Sequence, residues 1–176
     1  MANKILLTSF DTWLPHQQSN SSDDLLNEIS KLNYTAPFLT FLRLLPVDIE
    51  LASCAVIAKI NELQPNAIIC CGMAERRSQL TIESNATCGN TMLKTQVDLQ
   101  HLVTGSPGIG ISDDAGKFVC EGLYYSVLHY INKRKLKTHC IFVHAPILTK
   151  ENLINIITDF DLIIYNLASI IDFSLK

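Results

Sequence analysis

Cys120, His144 and Glu83 are the residues of this chain whose types could carry a reaction together. Cys120 follows the run Ser112-Asp113-Asp114-Ala115-Gly116-Lys117-Phe118-Val119, a turn-forming stretch that leads into an apolar, helix-like segment. A thiol at a helix N-terminus faces backbone N–H groups that favour its thiolate. His144 closes the apolar run Ile141-Phe142-Val143 and precedes Ala145-Pro146, while Glu83 ends Leu80-Thr81-Ile82. A thiol nucleophile, an imidazole to move its proton and a carboxylate to orient the imidazole form the set that acyl transfer needs. Each residue also has an ordinary explanation. A cysteine in apolar surroundings is usually core, and Asp113 and Asp114 oppose a thiolate unless they point away. A glutamate on an exposed strand face is plain surface, but one facing inward needs a cationic or imidazole partner.

Three further features could serve a ligand. Phe10 and Trp13 flank Asp11-Thr12 in a polar loop, where two aromatics could clamp a small flat molecule. Arg76-Arg77 follow Gly72-Met73-Ala74-Glu75, which sets a guanidinium where an oxyanion or a carboxylate could sit, or simply in a solvated loop. Gly105-Ser106-Pro107-Gly108-Ile109-Gly110 is glycine-rich but matches neither a phosphate loop nor a dinucleotide fingerprint. The six cysteines are best read as reduced. Cys70-Cys71 are adjacent, a spacing that fits neither a zinc knuckle nor a redox pair, and neither a metal nor a cofactor is expected.

The elements that must position these residues alternate between strand and helix. Short apolar strands are expected at Lys4–Ser9, Phe38–Leu45, Ala67–Cys71 (ended by Gly72), Leu80–Thr87 and Cys140–Val143. Helices are expected from Ser21 or Ser22 as N-cap through Ile29, over Asp48–Leu63, over Val97–Val103, over Phe118–Asn132, and from Leu148 onward with a break near Asp159-Phe160-Asp161. Gly105–Gly110 reads as loop. Continuously apolar strands between helices indicate a single three-layer α/β/α domain over residues 1–176 with a mainly parallel central sheet. Ligands gather at the carboxyl ends of such strands, where Ser9-Phe10, Gly72-Met73 and His144 all fall.

Composition narrows the partners. Hydrophobic residues make up 48% and charged residues 18%, which argues against disorder, and the net charge of −3 gives no footprint for nucleic acid. The apolar run after Met1-Ala2-Asn3 is too short for a leader peptide, and the acidic residues Asp159, Asp161 and Asp172 argue against a bilayer span in the last segment. A cytoplasmic protein without a membrane partner is expected.

Taken in order, the motifs resemble the pyroglutamyl peptidase I family (the pyrrolidone-carboxylate peptidases, peptidase family C15). Ile5-Leu6-Leu7-Thr8-Ser9-Phe10-Asp11-Thr12-Trp13 is similar to the family's ILLTGFDPF. Ala67 to Ser78 with Leu80-Thr81-Ile82-Glu83 is similar to its strand-GQAGGRS-x-ITxE block. Ile111 to Cys120 resembles VSNTAGTYVCN, Ile141 to Pro146 resembles FIHVP, and Leu44-Leu45-Pro46-Val47 also fits. The resemblance implies a cysteine peptidase that removes an N-terminal pyroglutamyl residue from a small peptide. It implies Cys120 as nucleophile, His144 as general base and acid, and Glu83 as the residue orienting the imidazole. Phe10 and Trp13 fall where the family grips the lactam ring, and Arg77 matches its arginine close to the reacting carbonyl. Met73 stands in place of a pocket glutamine, Ser9 in place of a glycine, Leu14-Pro15 in place of a Gly-Gly pair, and Asp113-Asp114 in place of Asn-Thr. The interval from Glu83 to Cys120 is shorter than the family's, which removes a segment of substrate enclosure and subunit contact; a homo-oligomer remains compatible with the rest. Two alternatives stay open: an amidohydrolase of the same fold with another small substrate, and a binding or scaffold domain without catalysis.

Overall fold

The computed structural model describes residues 3–33 and 38–174; Met1 and Ala2 of the leader reading lie outside the described residues. Six strands form one sheet: β1 (Lys4–Phe10), β2 (Phe38–Leu45), β3 (Ala67–Met73), β4 (Leu80–Glu83), β7 (Ile109–Ser112) and β8 (His139–Ala145). Their order is β2-β1-β3-β8-β4-β7, and every neighbouring pair is parallel except β4 against β8. A separate antiparallel hairpin joins β5 (Asn85–Cys88) to β6 (Thr91–Lys94). The three-layer, mainly parallel α/β/α architecture is therefore present.

Side-chain alternation along the strands divides the interior into two cores. One face carries Ile5, Leu7, Ile69, Cys71, Ile141 and Val143 and is covered by α1 (Ser21–Ile29), α3 (Leu99–Leu102) and α5 (Leu153–Ser174). The other carries Leu6, Phe10, Ile68, Cys70, Cys140 and Phe142 and is covered by α2 (Ile49–Leu63) and α4 (Val119–Arg134). Each fully buried aliphatic or aromatic side chain contributes roughly 1.5–3 kcal/mol of transfer free energy, so both helical layers are held by the same term.

Several boundaries differ from the sequence reading. Asn20, not Ser21 or Ser22, caps α1, its side chain accepting from the Ser22 N–H. Strand β3 runs through Gly72 to Met73 because β8 pairs with it that far. The run expected as one strand over Leu80–Thr87 is two. The chain leaves the main sheet at Ser84, whose N–H bonds to Ser112 O, and enters the hairpin. Strands β6 and β7 were not expected. β7 is a four-residue edge strand with Gly110 inside it, and no apolar run marks it.

Helix α5 begins later than Leu148 and is unbroken through Asp159-Phe160-Asp161. Phe160 is fully buried, and Asp159 turns outward to accept from the Ser106 hydroxyl. By length and composition α5 is also the one helix among the described residues long and apolar enough to cross a bilayer, where none was expected. Its Ile156, Phe160, Ile163, Ile164, Leu167 and Ile171 form a stripe at helical spacing, buried against the sheet.

Candidate active site

The site lies at the carboxyl ends of β1, β3 and β8, under the first turn of α4. Gly72 and His144 are register partners on neighbouring parallel strands, so their side-chain positions share a face. That face also bears Cys70 and Phe142, and it is the face α4 covers. A Cβ added to Gly72 would come within 2.6 Å of Cys120 Sγ and 3.0 Å of the Phe142 ring. The glycine is thus what lets the thiol rest directly on the sheet, one strand from His144.

Glu83 reaches the same place from the antiparallel strand. Thr81 pairs with His144 and Glu83 with Phe142, which puts the carboxylate on the α4 face. His144 Nδ1 and Glu83 Oε1 are 2.7 Å apart, with both side chains buried. The His144 ring packs on Phe142 with centroids 4.9 Å apart, and Phe142 on Tyr124 at 5.6 Å. Tyr124 in turn donates its hydroxyl to Glu83 O at 3.1 Å. The helix that carries the thiol is therefore tied to the strand that carries the carboxylate.

Arg77 is placed beneath this pair. Its Nη1 donates to Thr81 Oγ1 and to Glu83 Oε1, and its Nη2 to Ser112 Oγ and the Asp114 carbonyl at 2.9 Å. It does not line the cavity beside Cys120. Burial pushes the Glu83 carboxyl up, but hydrogen bonds from His144, Ser112 and Arg77 outweigh this and hold it below its usual range.

Cys120 is in the opposite state. Burial, then the Glu83 charge and Cys70, push its thiol up to about 12, with Arg77 opposing. The aspartates that the sequence set against it have little influence. Both are exposed, and the Asp114 carboxylate accepts from the Gly116 N–H at 3.0 Å, in a turn that needs glycine because Gly116 has φ +92°. The residue that caps α4, Phe118, offers no side-chain hydrogen bond, so the first N–H groups of the helix remain available around the thiol.

Beside the thiol is a cavity of about 250 Å³. Its apolar walls are Phe10, Trp13, Leu14, Val47, Met73 and Val119, and its polar groups are Gln17, Asn20 and Glu75 besides Cys120 itself. Phe10 is buried, aimed by a register shift between Thr8 and Phe10 and by Leu44 opposite at φ +57°. Trp13 is 55% exposed, and its ring meets Phe118 at 5.1 Å between centroids. Of the seven residues singled out in the sequence, Cys120, Phe10, Trp13 and Met73 line this cavity, and Glu83, His144 and Arg77 form the polar cluster against the sheet. Gln17, Glu75 and Phe118 were missed; they sit in loop and turn segments with no pattern of their own, and only the cavity reveals the first two and the Trp13 ring contact the third.

Fold and site together give an α/β/α domain with thiol, imidazole and carboxylate on one sheet face. Residues 96–163 match the family model for pyroglutamyl peptidase. A pyrrolidone-carboxylate peptidase of Caldanaerobacter subterraneus is 27% identical, covering 84% of this chain and 84% of its own. One from Oceanobacillus iheyensis is 28% identical, covering 89% and 90%. Among solved structures, pyroglutamyl peptidase I of Bacillus amyloliquefaciens superposes with a TM-score of 0.81 at 21% identity, covering 96% of each chain. The pyrrolidone carboxyl peptidase of Thermococcus litoralis gives 0.84 at 16% identity, covering 98% and 96%. The chain is similar to the pyroglutamyl peptidases in sequence over most of its length and in fold.

Proposed function

We propose that this protein is a cysteine peptidase that removes an N-terminal pyroglutamyl residue, with Cys120, His144 and Glu83 as its catalytic groups. The observation that carries the reading is the 2.7 Å contact of His144 Nδ1 with Glu83, on the sheet face where Cys120 Sγ rests. An ionised Glu83 can only accept, so Nδ1 carries the proton and Nε2 is left as the base. His144 takes the Cys120 proton as sulfur attacks the acyl carbon. The Cys120 backbone N–H and the open turn of α4 face the oxyanion. His144 then protonates the leaving amine, and water attacks the thioester to release pyroglutamate and the thiol. Arg77 holds Glu83 ionised and in place. Six free cysteines, three of them buried, support a reducing, cytoplasmic setting.

The test is release of the fluorophore from L-pyroglutamyl aminomethylcoumarin, compared with the L-prolyl amide, whose ring carries a charged amine and lacks the lactam carbonyl. Only the first is expected to react. Cleavage of some other acyl amide instead would favour the amidohydrolase reading, and inertness toward all of them the scaffold reading. In the same assay Gly72→Ala is expected to reduce turnover about a hundredfold by displacing Sγ from the sheet. Full activity with alanine at this position would disprove that placement of the thiol.

A further inference from the structure

Met73 removes an amide from the place where the resemblance sets a pocket glutamine, and its sulfur is turned to α1, where it accepts from the Ser21 N–H at 3.4 Å. The cavity must find its polar recognition elsewhere. Asn20 is 6% exposed and committed to the fold: it caps α1 by accepting from Ser22 N and Ser22 Oγ, and it donates to Asp11 O. Gln17 and Glu75 line the cavity with more exposure and meet there, Gln17 Nε2 donating to Glu75 Oε1 at 2.8 Å. Gln17 Oε1 is occupied by the N–H groups of Trp13 and Leu14, at 3.1 and 3.2 Å. This fixes the amide with its nitrogen toward Glu75 and leaves the second N–H of Nε2 without a partner among the described residues. Glu75 Oε1 also meets His16 at 3.6 Å, while Oε2 has no partner among the described residues.

We propose that the Gln17–Glu75 pair is the specificity determinant of this site, reading the polar edge of the lactam. A five-membered lactam holds its amide cis, so its N–H and its C=O project along one edge. Gln17 offers one free N–H to the ring carbonyl, and Glu75 offers one free carboxylate oxygen to the ring N–H, with the two groups already joined side by side. The pairing is donor to acceptor at both atoms. The apolar walls take the ring's methylenes. The proposal rests on the pyroglutamyl reading for its ligand, but it concerns recognition and not turnover.

The test therefore uses binding to the full chain carrying Cys120→Ala, which cannot turn over. L-pyroglutamamide and cyclopentanecarboxamide, equal in ring size but different in the lactam edge, are titrated by NMR. The Cys120→Ala protein is expected to prefer the lactam by about tenfold or more, and addition of Glu75→Ala to cut that preference to within about threefold, with affinity for the carbocycle unchanged. Glu75→Gln, which keeps an acceptor, should restore part of the preference. No preference at the outset, a preference that survives Glu75→Ala, or an equal loss for both ligands would each overturn the proposal, the last by making the pair a loop pin only. Failure of the peptidase reading shows separately, as absent reporter turnover by a wild-type protein that still prefers the lactam.

Discussion

Turnover by the Cys120→Ala variant is expected to fall by about 10⁵-fold or more relative to the wild type, the scale seen when a covalent nucleophile is removed from a hydrolase. The variant leaves the cavity, the imidazole and the open helix N-terminus in place, so any rate that survives measures binding and oxyanion contacts alone. Removal of one sulfur atom from a half-buried position should change stability by about 1 kcal/mol or less, and unchanged thermal unfolding would show that the loss is chemical. Serine should not rescue the reaction. The environment already holds the thiol at about 12, mainly through burial and the Glu83 charge, and a hydroxyl is harder still to deprotonate. The same environment defines how the wild type works. On the proposed mechanism, a thiol raised in this way passes its proton to His144 as the sulfur attacks. His144→Ala should accordingly approach the loss seen for Cys120→Ala, and the double variant should lose little more, because the two residues act as a unit. Substantial activity in Cys120→Ala would sink the mechanism.

Much of this was legible in the sequence, and for identifiable reasons. Strands β1, β3 and β8 are continuous apolar runs, buried on both faces, and such runs mark themselves. Their carboxyl ends could be lined up from the fold class alone, which brought Phe10, Met73 and His144 to one edge. Pairing of Glu83 with His144 could not be derived that way. It depends on β4 running antiparallel to β8, an inversion that leaves no trace in a four-residue strand. The partition of Leu80–Thr87 between sheet and hairpin was hidden because both halves carry the same alternation of apolar and polar residues. The role of Arg77 was obscured for a different reason: a guanidinium in the segment after a strand is equally suited to an oxyanion and to a carboxylate, and only the location of Glu83 decides between them. Helix α5 was broken too readily at two aspartates, which its buried stripe tolerates because both lie off that stripe.

Replacement of Glu83 by glutamine is the second large effect expected. In triads of this logic, a carboxamide in place of the orienting carboxylate lowers turnover by about 10⁴-fold, because the amide can hold the imidazole in the wrong tautomer. Here the geometry adds a second cost. Oε1 serves His144 and Arg77 at once, and an amide oxygen retains neither the charge that stabilises the imidazolium nor the one that pairs the guanidinium. Glu83→Ala goes further: breaking a buried ion pair by removing one partner typically costs about 3–5 kcal/mol, whereas the isosteric amide preserves shape and should cost less. The pH dependence separates the charge from the shape. The folded protein holds the Glu83 carboxyl below its ordinary value of 4.5, so its contribution to stability is complete above that value and is lost as the pH falls through the lower, folded-state value. Wild-type stability, followed as the denaturant midpoint, should therefore fall on acidification through this window by more than that of Glu83→Gln, which has no proton to gain at this position. Parallel acid profiles for the two proteins, together with wild-type turnover in Glu83→Gln, would show that the carboxylate neither orients His144 nor pairs with Arg77 in solution.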